Sequence, residues 1–322
     1  MKNWIAPNPE LLPGFIIGGA MKCGTSTLHE ILHRHPKVFM PKEEVHFFDI
    51  DNILQHSDFN FHIDDKWITQ SMDDNPKLFW DWYQEKFKGN ESLLKGEDST
   101  TYLASPVAAE RISLQKNDIK LIFLLRQPSL RAYSHYNHSL RTGRATYSFE
   151  DTLRFNPYQV LSRSLYKEQI ENYYKFIPKS RIKIILFEDF IKETEAALKE
   201  VCAFLDLEYA EFPADLLDTH ANKARIPKNS SLQIRKKLLM RDFGNKSYTN
   251  KLPIKVVQKK SILPFFLRVV NKVHSKINPA LPIRPPQINP ETKVFLDNYF
   301  HNELKGINEL IDKDVMSKWF PN

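Results

Sequence analysis

Apolar positions along the chain change period repeatedly, and each change marks an element. Gly14 to Ile17 is a short continuous apolar run, which predicts a buried parallel strand. Leu28, Ile31 and Leu32 then recur at helical spacing until His35 and Pro36 end the pattern. Between them Gly18, Gly19 and Gly24 allow a tight turn, and Thr25, Ser26 and Thr27 suit the first turn of the helix. Val38 to Met40 predicts a second strand. Aromatics at i, i+3 and i+4 between Phe59 and Phe87 predict a helix packed on the core, and residues 119–125 predict a strand buried on both faces. Arg126 ends that strand and Pro128 opens a helix. Residues 164–176 and 181–190 read as helix and strand, followed by a helix over 191–205 that Glu188 and Asp189 cap. Asn289 and Pro290 cap and open a C-terminal helix whose apolar residues include Phe295, Tyr299 and Ile307. Strand and helix alternate throughout, which predicts an α/β fold with a central parallel sheet covered on both faces.

Composition narrows the class. A chain of 322 residues with 42% hydrophobic content can bury a full core, and a single domain over 1–322 is expected. No apolar run reaches membrane-spanning length and the first residues have no signal-peptide core, so a cytoplasmic protein is expected. Two cysteines, Cys23 and Cys202, imply no disulfide framework.

Charge is unevenly placed. Ser230 to Pro285 holds thirteen Lys or Arg and one acid, Asp242, a net +12, so the rest of the chain carries −5 of the total +7. Within this segment, residues 262–277 have apolar residues on one helical face and cations on another. Such a pattern suits a polyanion or an anionic membrane surface, or else a solvated basic helix. No nucleic-acid partner is expected, and there are no internal repeats.

The chemistry concentrates after the first strand. A helix N-terminus preceded by glycines offers unpaired N–H groups and partial positive charge to an anion. The ordinary nucleotide-triphosphate loop places its lysine directly after the second glycine. Here Gly19 and Gly24 keep the glycine spacing, but Thr25 takes that place and the lysine is Lys22, which should project from the loop crest. A triphosphate with magnesium fits poorly. In open α/β sheets ligands bind where strands end and loops cross, so Glu44 and His46, in the loop after the second strand, are expected to face the site. Arg126 at a strand end and Ser134 about two helical turns on can both face one phosphate.

Two segments in register then carry a family resemblance. Lys22-Cys23-Gly24-Thr25-Ser26 resembles the 5′-phosphosulfate loop of sulfotransferases that use 3′-phosphoadenosine 5′-phosphosulfate (PAPS), and Glu44-Val45-His46-Phe47-Phe48-Asp49 resembles a segment of their glycosaminoglycan-modifying branch. Leu125 to Ser134 is similar to the family's 3′-phosphate segment. Lys223-Ala224-Arg225-Ile226-Pro227 resembles a loop that closes over that phosphate, with alanine for the family's glycine. Gly96 to Tyr102 resembles a further segment but has Asp98 where those enzymes carry lysine.

The resemblance implies a nucleotide-kinase-like three-layer fold and sulfuryl transfer to a carbohydrate hydroxyl or amine, with PAPS as donor and no metal. It implies Glu44 as base, Lys22 on the bridging oxygen and His46 as a secondary acid/base or acceptor-orienting group. Lys22, Cys23, Gly24, Thr25, Ser26 and Thr27 would hold the 5′-phosphosulfate; Arg126, Ser134, Lys223 and Arg225 would hold the 3′-phosphate. Relative to those enzymes 228–286 is an insertion. Two rival readings stay open: a kinase of the same architecture, and a polyanion-binding protein without catalysis.

Overall fold

The structure, a computed structural model, describes residues 2–216, 225–240, 251–256 and 263–321, without the side chains of 239–240 and 263–268. Five strands form one parallel sheet: β1 (Phe15–Gly19), β2 (Val38–Phe39), β3 (Leu94–Asp98), β4 (Lys120–Leu125) and β5 (Ile182–Leu186), in the order β2-β3-β1-β4-β5. Phe15, Ile16, Ile17 and Leu121 to Leu125 are fully buried, the physical reason for their unbroken apolar runs. A Cβ on Gly96 would stand 2.2 Å from the Phe15 ring, so glycine there lets β3 close on β1.

The chain leaves β1 toward β2 and β3 on one side and later adds β4 and β5 on the other. The switch in direction therefore falls between β1 and β4, where an open α/β sheet binds its ligand. Ala20 N–H donates to Leu124 O at 2.8 Å, which sets the loop after β1 beside the end of β4. From these two ends run helix α1 (Thr25–His33) and helix α2 (Pro128–Arg141), the latter capped by Gln127, whose side chain accepts from Leu130 N–H.

Some expected elements differ. The aromatic stretch is a hairpin, Phe61–Ile63 against Lys66–Ile68, followed by a shorter helix, Pro76–Gln84; Phe59 and Phe61 bury against the core before the helix, and Phe79, Trp80, Tyr83 and Phe87 bury on or just after it, while Trp67 stays exposed. β5 ends at Leu186, and Glu188 and Asp189 lie in the first turn of a short helix, Phe187–Lys192, instead of capping the next, Thr194–Leu205. Glu188 accepts from Gln127 N–H (2.9 Å) and Trp319 Nε1–H (3.3 Å), and Asp189 pairs with Lys318 at 2.5 Å. The C-terminal helix Pro290–Glu303 is capped by Asn289 as expected, but it buries Leu296 and Phe300 and leaves Phe295 exposed. Ile307 belongs to a further helix that begins after left-handed Gly306.

The basic insertion closes on itself at its base. Ile226–Pro227 pairs antiparallel with Ala280–Leu281, Lys228 N–H donates to Pro279 O (3.0 Å), and Asn278 exchanges bonds of 2.6 and 2.9 Å with Asn229. Two helices rise from this neck, α3 (Ser230–Met240) and α4 (Leu263–Ile277). Between them Lys251 to Val256 returns to the core: Leu252 and Val256 are buried, and the Ile254 backbone exchanges bonds of 3.0 and 3.1 Å with the Gln70 amide.

Candidate functional site

A cleft of about 1050 Å³ opens at the carboxyl ends of β1 and β3, lined on one wall by Lys22 and Gly24 to Thr27 and on another by Glu44 and His46. Gly24 caps α1 at φ 90°, a left-handed conformation; its carbonyl accepts from Thr27 N–H (3.0 Å) and Leu28 N–H (3.1 Å), while the Thr25 and Ser26 amides are left without intrahelical partners. A Cβ there would meet the Phe187 ring at 3.0 Å. Lys22 is also left-handed, at φ 72°, and its ammonium lies 3.3 Å from His138 Nδ1 on α2. Burial, and then the nearby Arg141, lower the Lys22 pKa. Burial, and then Lys22 and Arg141, push His138 down to about 3, so a neutral imidazole can present its lone pair to the lysine.

Cys23 lies in the same loop but faces the core. Its thiol sits 3.8 Å from the Tyr166 hydroxyl, burial pushes it up to about 11, and its amide donates to Ala20 O. The Cys23 side chain is thus buried away from the cleft, and its amide is engaged within the loop. Thr25 is buried while Ser26 is exposed and Thr27 half-buried, and all three border the cleft.

Glu44 is exposed to the cleft and pairs with His46 Nε2 at 2.9 Å, while the Thr100 hydroxyl donates to the same carboxylate oxygen at 3.0 Å. Burial among the cleft walls opposes its charge, but the His46 bond and charge, Thr100 and Lys22 outweigh it and hold the carboxyl at about 2. Burial likewise opposes the imidazolium of His46, and Glu44, then Asp49 and Asp98, overcome it, so its pKa is raised. His46 is left-handed at φ 55°, pinned by its N–H to Ser99 Oγ (2.8 Å) and by Nδ1 to the Thr101 hydroxyl (3.0 Å).

Sequence reasoning missed this supporting layer. Ser99 donates in turn to buried Glu97 at 2.6 Å, as do the hydroxyls of Tyr83 and Tyr102 at 2.5 Å. Thus Ser99, Thr100 and Thr101 each hold one atom of the Glu44–His46 pair. Their run of hydroxyls directly after β3 was the available signal. Beneath His46, His56 bonds Asp49 at 2.8 Å and stacks on Phe59. Ligand atoms of His46, Asp49 and His56 lie within 4.8 Å of one another, the described cluster nearest to a metal-ligand set, yet each histidine is already bonded within the protein. Asp98 does not face the cleft. It turns to His29 of α1 at 3.5 Å, and burial lifts its pKa to about 6.

Arg126 reaches back to the loop, donating to Lys22 O at 3.3 Å with its guanidinium 4.7 Å from the Phe187 ring. Ser134 is half-buried on α2, and neither residue lines the main cleft. Arg225 is exposed just before the strand Ile226–Pro227, which packs on α2; Lys223 lies outside the described residues. Also missed were Arg141, Arg144 and Arg163, which line the cleft, and Lys237, Lys251 and Leu252, which the insertion brings to it. Lys251 pairs with Glu43, the neighbour of Glu44, at 2.6 Å. Trp82 and Lys86, 4.1 Å apart, complete the rim.

A glycine loop with its lysine, an α/β switch point and an opposed carboxylate thus meet in one cleft. Residues 13–211 match the model of the sulfotransferase family, and the chain belongs to that family. It is 29% identical over 210 residues to the heparan sulfate glucosamine 3-O-sulfotransferase 5 of Mus musculus, covering 62% of this chain and 54% of that one. It is 22% identical over 294 residues to the membrane-associated sulfotransferase kil1 of Dictyostelium discoideum, covering 62% and 57%. The chain thus spans about half the length of the curated relatives it matches. The crystal structure of a sulfotransferase from Alicyclobacillus acidocaldarius shares the fold, with a TM-score of 0.61 at 24% identity over 96% of this chain and 98% of that one. Among the described residues no helix is long and apolar enough to cross a membrane.

Proposed function

We propose that this protein transfers the sulfuryl group of PAPS to a hydroxyl or amine of a carbohydrate. One observation carries the reading: Lys22 on the glycine loop and Glu44 paired with His46 share one cleft, a cation for the leaving oxygen opposite a base for the acceptor. In the transfer the acceptor oxygen or nitrogen bonds to sulfur as sulfur's bond to the 5′-phosphate oxygen breaks. The acceptor proton passes to Glu44, with His46 orienting or sharing it. The electron pair stays on the leaving 5′-phosphate, stabilised by Lys22 and the first-turn groups of Gly24 to Thr27. Arg126 and Ser134, with Arg225 and Lys223 closing over them, take the 3′-phosphate that distinguishes this donor from ATP.

The activity for which the Mus musculus relative is named supports a glycan acceptor. So does the rim, where Trp82 offers a face to a sugar and Arg141, Arg144, Lys237 and Lys251 suit its carboxylate or sulfate groups. The steps above use no metal, and the cytoplasm, where free buried Cys23 and Cys202 are at home, is the proposed compartment. The test is radiolabelled PAPS offered with a panel of glycans, lipids and phenols, with and without EDTA. Label in the glycans, unchanged by EDTA, is expected. Magnesium-dependent ATP turnover in place of label transfer would instead make the protein a kinase.

A further inference from the structure

Helix α4 is the longest element among the described residues of the insertion, and none of its described side chains borders the cleft. Val269, Val273 and Ile277 are 44, 51 and 61% exposed. Spaced four residues apart, they form one stripe along the helix. Val270 and His274 are half-buried on another face, so the helix already has a packed side and the stripe is a separate one. Lys272 and Lys276 are exposed, each one residue before an apolar member and so about 100° round the axis. No acid occurs anywhere between Asp242 and Glu291.

Such a face is poorly suited to water, because three branched apolar side chains stay hydrated while a packed side exists to receive them. With 15 residues the helix is too short to cross a bilayer. Lying flat, it would sink its apolar stripe to the acyl boundary and leave the lysines level with headgroup phosphates. The flanking charge selects the partner: a cationic border without a carboxylate complements an anionic surface and not another basic one. The neck makes the attachment rigid, since Asn278, directly after the helix, is bonded on both sides to Asn229.

We propose that the Val269–Val273–Ile277 stripe, with Lys272 and Lys276, seats this protein on an anionic phospholipid bilayer. The contact is independent of the cleft and leaves it open to its substrates.

The experiment is flotation of the full chain with phosphatidylcholine vesicles, with and without phosphatidylserine, at low and high salt. Binding to the phosphatidylserine vesicles alone, weakened by salt, is expected. The double variant V273D/I277D should lose at least about tenfold in partitioning, as should K272E/K276E, with circular dichroism and nucleotide affinity unchanged in both. Having two variants of opposite chemistry guards against a folding defect in one. Wild-type protein that stays free of anionic vesicles, or variants that float as well as wild type, would overturn the proposal. Two other results would also overturn it and reassign the face: heparin binding lost through these residues without vesicle binding, or a dimer in light scattering that V273D/I277D dissolves.

Discussion

The nucleotide core and the basic insertion use positive charge in opposite ways. Around the core's cleft, cations are held by fixed partners: Lys22 on His138, Arg126 on the Lys22 carbonyl and the Phe187 ring, Arg163 on the Gln55 amide at 3.1 Å. In the insertion Arg235, Lys255, Lys272 and Lys276 stand exposed on elements that lack carboxylates. A charge fixed in a partly desolvated cleft acts on one atom of a ligand, and its loss is felt at that atom. Exposed charges act by summed, salt-screened attraction, so each counts little alone. Lys237 and Lys251 belong to the second region by sequence and to the first by position.

The largest effect expected of this contrast is at Glu44. Glu44→Gln keeps the shape and removes the proton acceptor, so turnover should fall at least ~10²-fold with donor affinity retained, measured by single-turnover transfer and calorimetry. Normal turnover in Glu44→Gln with a dead His46→Ala would move the base to His46. Next, Arg126→Ala should erase a preference for 3′-phosphoadenosine 5′-phosphate over 5′-AMP. Loss of a charge-assisted contact costs about 1.5–3 kcal/mol, roughly ten- to a hundredfold in affinity. Equal affinity of the native protein for the two nucleotides would remove Arg126 and Ser134 from that role.

A third test concerns pH. Glu44, held at about 2, is ionised throughout the working range, whereas His46 titrates above its ordinary 6.5. Below the raised His46 pKa the imidazolium bonds Glu44 and weakens it as a base; above it the pair has room for the acceptor's proton. The rate kcat/KM should therefore rise with pH through a value above 6.5, and His46→Gln should remove that limb. A limb that survives His46→Gln belongs to another group. The smallest effect is at the border of the two regions. Lys251→Glu with Lys237→Glu should raise KM for an acidic glycan several-fold, fading with salt, and leave kcat nearly unchanged. A change that salt does not touch would mean that these lysines make fixed contacts, as core cations do.

Much of the core was legible because its signals are local. Residues 119–125 are apolar throughout because β4 is covered on both faces, and Pro128 and Asn289 open their helices where the sequence places them. The glycine loop and the Glu44–His46 segment were legible for the same reason, each being short and contiguous. Their burial was not. Cys23 and Ser26 sit three residues apart in one motif, yet the thiol enters the core and the hydroxyl faces solvent, a division made by the packing of Tyr166 against the loop.

By itself, then, the sequence determined the strand–loop–helix order, the position of the loop lysine, the identity of the opposed carboxylate and the concentration of charge in one segment. These follow from backbone propensity and residue chemistry acting over a few neighbours. Only the tertiary structure decided that Ser99, Thr100 and Thr101 hold Glu44 and His46, that His138 receives Lys22, that Asp98 turns away from the cleft to His29, and that residues 251–256 bring the insertion back to the cleft rim. Each of these joins groups separated by tens to hundreds of residues. Such contacts are set by how layers pack and where buried polar groups find partners, and no local pattern encodes that.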